Sequence, residues 1–473
     1  MRRRRNPGWA KWAGIGGLML AAVLALCGAW TGTALGEEPG LGIKVSGDVE
    51  YGLAVSSRGD GVTANTAGYH LSLSSGLGGT GWLPPGSVYI SLKGEYDLQR
   101  ESGKLADLDE AYVDVYLTGA DLRLGQQVVS WGTAYGLNPT SYVNPVPNPA
   151  SMAGGTSIAG IIRSGGLELA GLAVPAVSTT VYPSWGEVGV VAVVNPRLQG
   201  VPVPEDTQAA ILQEIAYGVS QSYPSTQVRL SSQRFSVESP ESLSERLEYA
   251  ARVGARVGNW DLYLSGFRGW DDYPVLWVSH QISGSDPTTE YPIVRVDPNA
   301  AYRKETKAGL AASCTWGPYT LWGEGSYAWP DKVAELDDPA NTAFSSNDPH
   351  WQAVVGADRS FGDSNDVYVM AEYIYNSSGS ILVPYQFVPG GAGAKQYLAG
   401  TARWQPGQDH QFELSGIYCV NDRSYVVMPR YTYQVDESTS VWVGLAVPGG
   451  AADSEFGSFS DARSASLGIK LAF

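Results

Sequence analysis

The amino-acid sequence predicts an all-β fold: a transmembrane, antiparallel, up-and-down β-barrel of about 18 strands, with 16 as the alternative count. Three observations predict it. Apolar and polar residues alternate with period 2 again and again, as in Val88, Ile90, Leu92 and Tyr96 set against Ser91, Lys93, Glu95 and Asp97. A strand of this kind has one apolar and one polar face. The connections alternate between tight turns and long loops, and aromatic residues of the apolar parity collect toward segment ends.

Composition agrees. Charged residues make up 16% of the 473-residue chain, which also holds 58 Gly, whereas an ordinary soluble domain carries roughly 25% charge. A disordered or coiled-coil chain would need far more charge and fewer aromatics. The formal net charge of −16 argues against nucleic acid as a partner, because that chemistry needs a basic footprint.

The first element is an export signal. Arg2 to Arg5 and Lys11 flank an apolar run from Ala13 to Trp30, and Ala34 and Gly36 occupy the −3 and −1 positions before Glu37. This is the pattern of a secretory signal peptide over residues 1–36; the alternative is an uncleaved anchor, since the apolar run reaches the lower edge of a spanning length. Cys27 follows Leu26, which is too large for a lipoprotein signal. Residues 37–473 then form the exported barrel. Removing 1–36 takes five of the 31 basic residues and none of the 47 acidic ones, which leaves a net charge of −21. Cys314 and Cys419 are too few for a disulfide scaffold. Neither has metal-ligand spacing, so no metal and no cofactor are expected.

Eighteen alternating segments follow. They lie at 43–55, 67–77, 87–98, 108–118, 121–131, 157–164, 166–175, 246–258 and 260–270, then at 303–315, 319–329, 349–361, 366–376, 395–405, 409–420, 424–436, 438–448 and 463–473. Most are close to the ~9–11 residues a tilted strand needs to cross a bilayer. Gly119-Ala120, Gly165-Gly166, Gly258-Asn259, Gly317-Pro318 and Pro406-Gly407 supply tight turns at alternate junctions. Most junctions between them are long: 56–66, 132–156, 176–245, 271–302, 330–348, 377–394 and 449–462. Short turns on one side and long loops on the other put both termini in the periplasm.

A soluble β-sandwich also alternates, so the aromatics must discriminate. Trp329, Trp351, Tyr373, Tyr375 and Tyr418 lie toward the long-loop side, while Tyr319, Trp404, Phe412, Tyr431, Tyr433 and Phe473 lie toward the short turns. That describes two interfacial girdles around an apolar band. A sandwich core would hold its rings mid-strand.

A resemblance adds to this reading. Phe473, closing an alternating strand, resembles the signal that outer-membrane barrels present to their insertion machinery. The stretch from Leu108 to Asn144, with Leu122-Arg123-Leu124-Gly125-Gln126-Gln127, Trp131-Gly132 and the Asn-Pro pairs after them, is similar to the porin superfamily. It looks nearest to the alginate-export-like and substrate-selective branches. Glu324 to Tyr327 and Ser454-Glu455-Phe456-Gly457 are further matches. The resemblance implies a channel in the outer membrane of a Gram-negative-type envelope. Its partners would be outer-membrane lipid, the barrel-insertion machinery and small polar solutes. No motif fixes a substrate or an oligomeric state.

Eighteen strands enclose a lumen too wide for side chains alone to fill, so a water-filled channel is the default. Inward parity places Arg123, Arg163, Arg252, Arg256 and Lys307 on one arc, and Asp48, Glu50, Glu95, Asp97, Glu110 and Asp114 on another. Two readings stay open: opposed walls whose transverse field filters ions, or local pairs that stiffen the wall. Loop 132–156 contains Asn138-Pro139, Asn144-Pro145 and Asn148-Pro149 with Tyr135 and Tyr142. Pro fixes φ and restricts its predecessor, so this loop is stiff and extended. The porin resemblance implies that it folds inward as a constriction loop; the alternative is an exposed cap. Loop 176–245 contains a predicted helix near 205–219. Its stripe is Ile211, Leu212, Ile215, Ala216 and Val219, with Glu205 and Asp206 suiting the positive end of the helix dipole.

Enzyme readings are weak. His70 with Ser72 and Ser74 has no orienting carboxylate nearby in sequence, and the loop pairs Asp271-Asp272 and Asp337-Asp338 are of a commonplace kind. The expected function is passive or weakly selective diffusion of small polar solutes. The alternative is an export or adhesion barrel whose long loops bind a polymer or surface partner.

Overall fold

A computed structural model describes residues 42–56, 61–79, 84–99, 101–135, 137–146, 171–237, 240, 242–288, 290–381 and 393–473. The expected signal peptide, Arg163, the segment at 157–164 and the first half of that at 166–175 lie outside the described residues. The chain opens with β1 (Lys44–Ser56), β2 (Val62–Leu77), β3 (Gly86–Asp97), β4 (Ser102–Leu117) and β5 (Ala120–Gln127). Next come β6 (Val174–Val181), β7 (Gly186–Val193), helix α1 (Glu205–Ser222), β8 (Gln227–Leu230) and the single turn α2 (Leu243–Arg246). They are followed by β9 (Glu248–Val257), β10 (Trp260–Trp270), β11 (Val275–Ser285), β12 (Pro292–Ala301), β13 (Lys304–Trp316), β14 (Tyr319–Pro330) and β15 (Thr342–Ala343). The last seven strands are β16 (His350–Phe361), β17 (Val367–Asn376), β18 (Lys395–Trp404), β19 (His410–Cys419), β20 (Tyr425–Gln434), β21 (Thr439–Gly449) and β22 (Ser464–Ala472).

Eighteen strands, all but β8, β11, β12 and β15, pair antiparallel with their neighbours along the chain, and β22 pairs with β1 to close an 18-stranded barrel. The strand alternation sets which face is which. Leu264 and Leu310 are register partners and are 58% and 65% exposed on the outer wall, whereas Ser265 beside them is buried. Val355, Leu398, Leu414, Val443 and Leu467 continue the exposed aliphatic band. Such a belt is tolerable only against lipid. Rings border it: Trp404 stacks on Phe412 at 5.3 Å toward the short turns, and Trp351 stacks on Tyr375 at 4.1 Å toward the long loops. The tight turns use glycine where φ is positive, at Gly119 (78°), Gly258 (63°) and Gly407 (88°), a backbone region costly for any side chain.

The strand number agrees with the expectation, but two positions do not. The sequence reading places strands six and seven at 157–164 and 166–175 and treats 176–245 as one loop. The structure puts these barrel strands at β6 and β7 instead, so the loop begins at residue 194. Pro175, the last residue of the expected seventh segment, instead sits second in β6, at a strand start where a missing N–H is tolerated. Its carbonyl still accepts the Val194 N–H at 2.9 Å.

The long connections also do more than loop. β8, β11, β12 and β15 form a second sheet in the order β15-β11-β12-β8, with β12 and β8 parallel. Leu212, Phe235, Leu276, Val278, Val296 and Phe344 make its core, with Ile211, Ile215 and Val219 of α1 packed against it. The helix therefore lies where the apolar stripe predicts it. The hairpin at 271–302 escapes the sequence reading because Val275 and Leu276 are both fully buried. A strand buried on both faces loses its period-2 signature.

The two faces of the wall should respond differently to charge. Leu310→Arg is expected to destabilise the barrel by about 2–4 kcal/mol, the cost of Arg at the bilayer midplane, in urea titrations of protein folded into vesicles. Ser72→Arg on the polar face should change stability by less than about 1 kcal/mol. Equal losses would mean that the faces are assigned the wrong way round.

Candidate functional site

The site is the barrel interior and the chain that enters it after β5. Asn144 clamps the two stems of this inner loop. Its Oδ1 accepts the Val129 N–H at 2.6 Å, and its Nδ2 donates to the carbonyls of Gln127 at 3.0 Å and Leu172 at 2.8 Å. Pro145 restricts Asn144 to an extended backbone and its own carbonyl accepts the Leu172 N–H at 2.8 Å. An Asn-Pro pair thus serves as a base clasp.

Between the stems the loop crosses the lumen. Tyr142 meets Ser265 of β10 through their hydroxyls at 3.1 Å, and its ring lies 5.9 Å from Phe267. On β14, Glu324 Oε2 accepts the Thr140 hydroxyl at 2.6 Å and the Thr133 N–H at 3.3 Å. On β17, Glu372 Oε1 accepts the Tyr135 N–H at 2.8 Å and the Trp322 indole N–H at 2.9 Å. Ala134 and Leu137 pack against inward residues that include Val354, Ile374 and Tyr397. β5 is the fifth barrel strand and β17 the thirteenth of 18, so the loop reaches nearly the opposite wall. Glu324 and Glu372 are 5% and 2% exposed. They act as buried acceptors for donors of the loop, and charged acceptors make the stronger hydrogen bonds.

A second segment enters before β22. Phe456 is fully buried among Tyr397, Ile417, Cys419, Val426 and Met428. Glu455 accepts from Lys395 Nζ at 2.7 Å, from the Ser380 hydroxyl at 2.5 Å and from the Tyr397 hydroxyl at 2.8 and 2.9 Å. Asp422 accepts the Glu455 N–H at 2.9 Å and Lys395 Nζ at 3.3 Å. Burial works to raise its pKa, but donors from Ser424 and Glu455 prevail and hold it well below the usual carboxylate range. Ligand atoms of Cys419, Asp422 and Glu455 lie within 4.8 Å of one another, yet the Lys395 ammonium already supplies positive charge there. The sequence singles out Ser454 to Gly457 but offers no signal for these distant partners.

The sequence-predicted charges that fall on described residues all lie on the inward parity. Arg123 grips Asp114 through two hydrogen bonds, at 2.7 and 3.1 Å, and stacks 3.8 Å over Tyr112. Arg252 pairs with Glu187 at 2.7 Å between the rings of Trp131 and Tyr263. Lys307 pairs with Glu305 at 2.7 Å, Arg256 with Asp261 at 3.6 Å, and Asp48 with Lys470 at 3.4 Å. Glu110 accepts the Val128 N–H at 2.8 Å, and Asp97 accepts the Gln99 N–H at 2.9 Å. Glu50 faces Lys470 in register, and Glu95 faces Lys104. Of the two electrostatic readings, this geometry favours local pairs over opposed walls. Phe473 is half-exposed on the outer face, and two backbone hydrogen bonds with Gly47, at 3.0 and 2.9 Å, hold it at the closing seam.

No protein-family model matches the chain, and no curated protein matches it. Among solved structures it is similar to Salmonella typhi OmpF in complex with daunomycin, at 10% identity and a TM-score of 0.46, over 92% of this chain and 98% of that one. It is similar to a mutant Rh. blastica porin at 12% identity and a TM-score of 0.39, over 91% of this chain and all of that one. It is similar also to OmpT, an outer membrane protein of Vibrio cholerae in its trimer form, at 11% identity and a TM-score of 0.36, over 91% and 99%. Likeness at this level concerns the fold and not the lumen's residues.

Asn144→Ala removes the three hydrogen bonds of the clasp. Local opening of the inner loop should become about 1–3 kcal/mol easier per buried group left unpaired. Hydrogen exchange of residues 128–146 should therefore quicken while the barrel strands stay protected. Unaltered exchange in the loop would show that the clasp does not hold it.

Proposed function

We propose that the protein is an outer-membrane, porin-like channel for passive or weakly selective diffusion of small polar solutes. In this reading the loop after β5, with Tyr135, Asn138, Tyr142 and Asn144, is the constriction. The single observation that carries the reading is the course of that loop, which spans the lumen from β5 to hydrogen bonds on β10, β14 and β17. Among the described residues, none of its hydrogen bonds falls on β1, β2 or β3. The open path lies along that arc. Ser46, Ser72 and Ser74 with His70 offer hydroxyls and a ring nitrogen that exchange hydrogen bonds with a passing hydrated solute. The export signal at residues 1–36 and the terminal Phe473 fit delivery to the outer membrane and insertion there.

Paired charges make weak filters. Arg123 and Arg252 each sit against a carboxylate, so little net field extends across the water. On the β1–β4 arc, however, Asp48, Glu50, Glu95, Asp97, Asp109 and Glu110 stand among Lys93, Lys104 and Lys470, which leaves a modest surplus of negative charge and a mild preference for cations. The export or adhesion alternative draws on the small sheet domain with its own core, built from the long connections.

Planar-bilayer recording separates the two. A stable open conductance is expected, and deleting residues 137–142 should raise it, since flow is limited by the narrowest segment. Glu50→Gln with Glu95→Gln should move the reversal potential toward anions. A silent barrel before and after the deletion would defeat the channel reading.

A further inference from the structure

Where the inner loop meets β14, three oxygen atoms are buried without a hydrogen-bond partner: Glu324 Oε1, Asn138 Oδ1 and Thr133 Oγ1. Glu324 is 5% exposed, and its other oxygen is the one already taken up by Thr140 and Thr133. A buried polar atom left unmatched is destabilising, so these acceptors, two residues of the loop and one of the wall it rests on, call for an occupant. Asn138 Oδ1 and the Glu324 carboxylate flank Gly132, Thr133 follows it in the chain, and the φ of 109° at this position suits glycine. A Cβ at this position would stand 2.8 Å from Glu324 Oε2 and 3.0 Å from Asn138 Oδ1. The glycine keeps open a space that any side chain would fill.

The donor set decides the chemistry. A carboxylate oxygen and an amide oxygen only accept, and a hydroxyl oxygen joins them readily. Among the described residues no Lys or Arg forms an ion pair with Glu324, and Glu372 adds a second buried carboxylate nearby on the same loop contact. A water molecule can match two of these acceptors but brings no charge. Hard cations bind all-oxygen sets, and Ca²⁺ accepts irregular geometry and several waters where Mg²⁺ demands a near-ideal octahedron. We propose that a divalent cation of the Ca²⁺ class binds here, ligated by Glu324, Asn138 and Thr133 with water completing its shell. Two ligands belong to the loop and one to the wall, so the ion cross-links them. With few protein ligands its affinity belongs with the ~10⁻⁴–10⁻³ M of extracellular modules. The site does not depend on whether the barrel conducts.

The test uses the folded full barrel in detergent, stripped with EDTA and then titrated with Tb³⁺, whose luminescence the neighbouring Trp131 sensitises. Displacement by Ca²⁺ at a stoichiometry of one per chain is expected. Glu324→Gln and Asn138→Ala should each weaken the signal at least tenfold, and Thr133→Val, nearly the same shape, should weaken it less. Heat-modifiable gel mobility identifies which variants are folded, and Thr133→Val serves if the others are not. Absence of Ca²⁺-displaceable luminescence from the wild type, or unchanged binding in every folded variant, overturns the assignment and identifies the occupant as water alone. A conducting barrel without such luminescence sinks the cation site alone, and a silent barrel that binds Ca²⁺ sinks the channel alone.

Discussion

The whole structure depends on one constraint: a backbone amide inside lipid has no water to bond to. Every N–H and carbonyl must find a partner within the wall, which leaves helices and closed barrels as the spanning solutions. This chain meets the requirement by joining its last strand to its first, from Asp48 opposite Ala472 to Ser56 opposite Ser464. Closure abolishes the sheet edge and, with 18 strands, commits the molecule to an interior far wider than its side chains. Everything inside the barrel answers to that width.

The answer is chain rather than side chains. Two segments fold inward, and each is held by buried or half-buried carboxylates that accept from several donors at once. Glu324 and Glu372 take up the backbone of the loop after β5, while Glu455 and Asp422 gather Lys395, Ser380, Tyr397 and Ser424 around the segment before β22. Charged acceptors suit this task because irregular backbone at membrane depth must be satisfied by protein or water. Among the described residues, none of the inner loop's hydrogen bonds falls on the arc from β1 to β3, where Ser46 and Ser72 stand.

Much of this is legible in the sequence because the barrel wall is periodic. Leu310 and Ser313, or Val369 and Glu372, announce their faces by parity alone. Periodicity fails where a strand is buried on both sides, as at Val275 and Leu276, and where a proline stands at a strand start, as at Pro175. Inside the lumen the local pattern shows that Arg123 and Asp114 point inward but not that they grip each other. The partners of Glu324 lie 184 and 191 residues away in the chain, and no local pattern carries a separation of that size. Asn144-Pro145 reads as stiffness; that its side chain clasps both stems follows only from the fold.

The small second sheet has a consequence for assembly. β8 and β12 run parallel, pairing Gln227 to Leu230 with Ile293 to Val296, and β9 and β10 lie between them in the chain. To make that sheet the chain runs through an intervening hairpin of the wall and comes back beside its earlier connection. Contacts so distant in sequence form late, because loop-closure entropy must be met before they reward it. The sheet therefore acts as a latch that ties together the two connections flanking the β9–β10 hairpin of the wall.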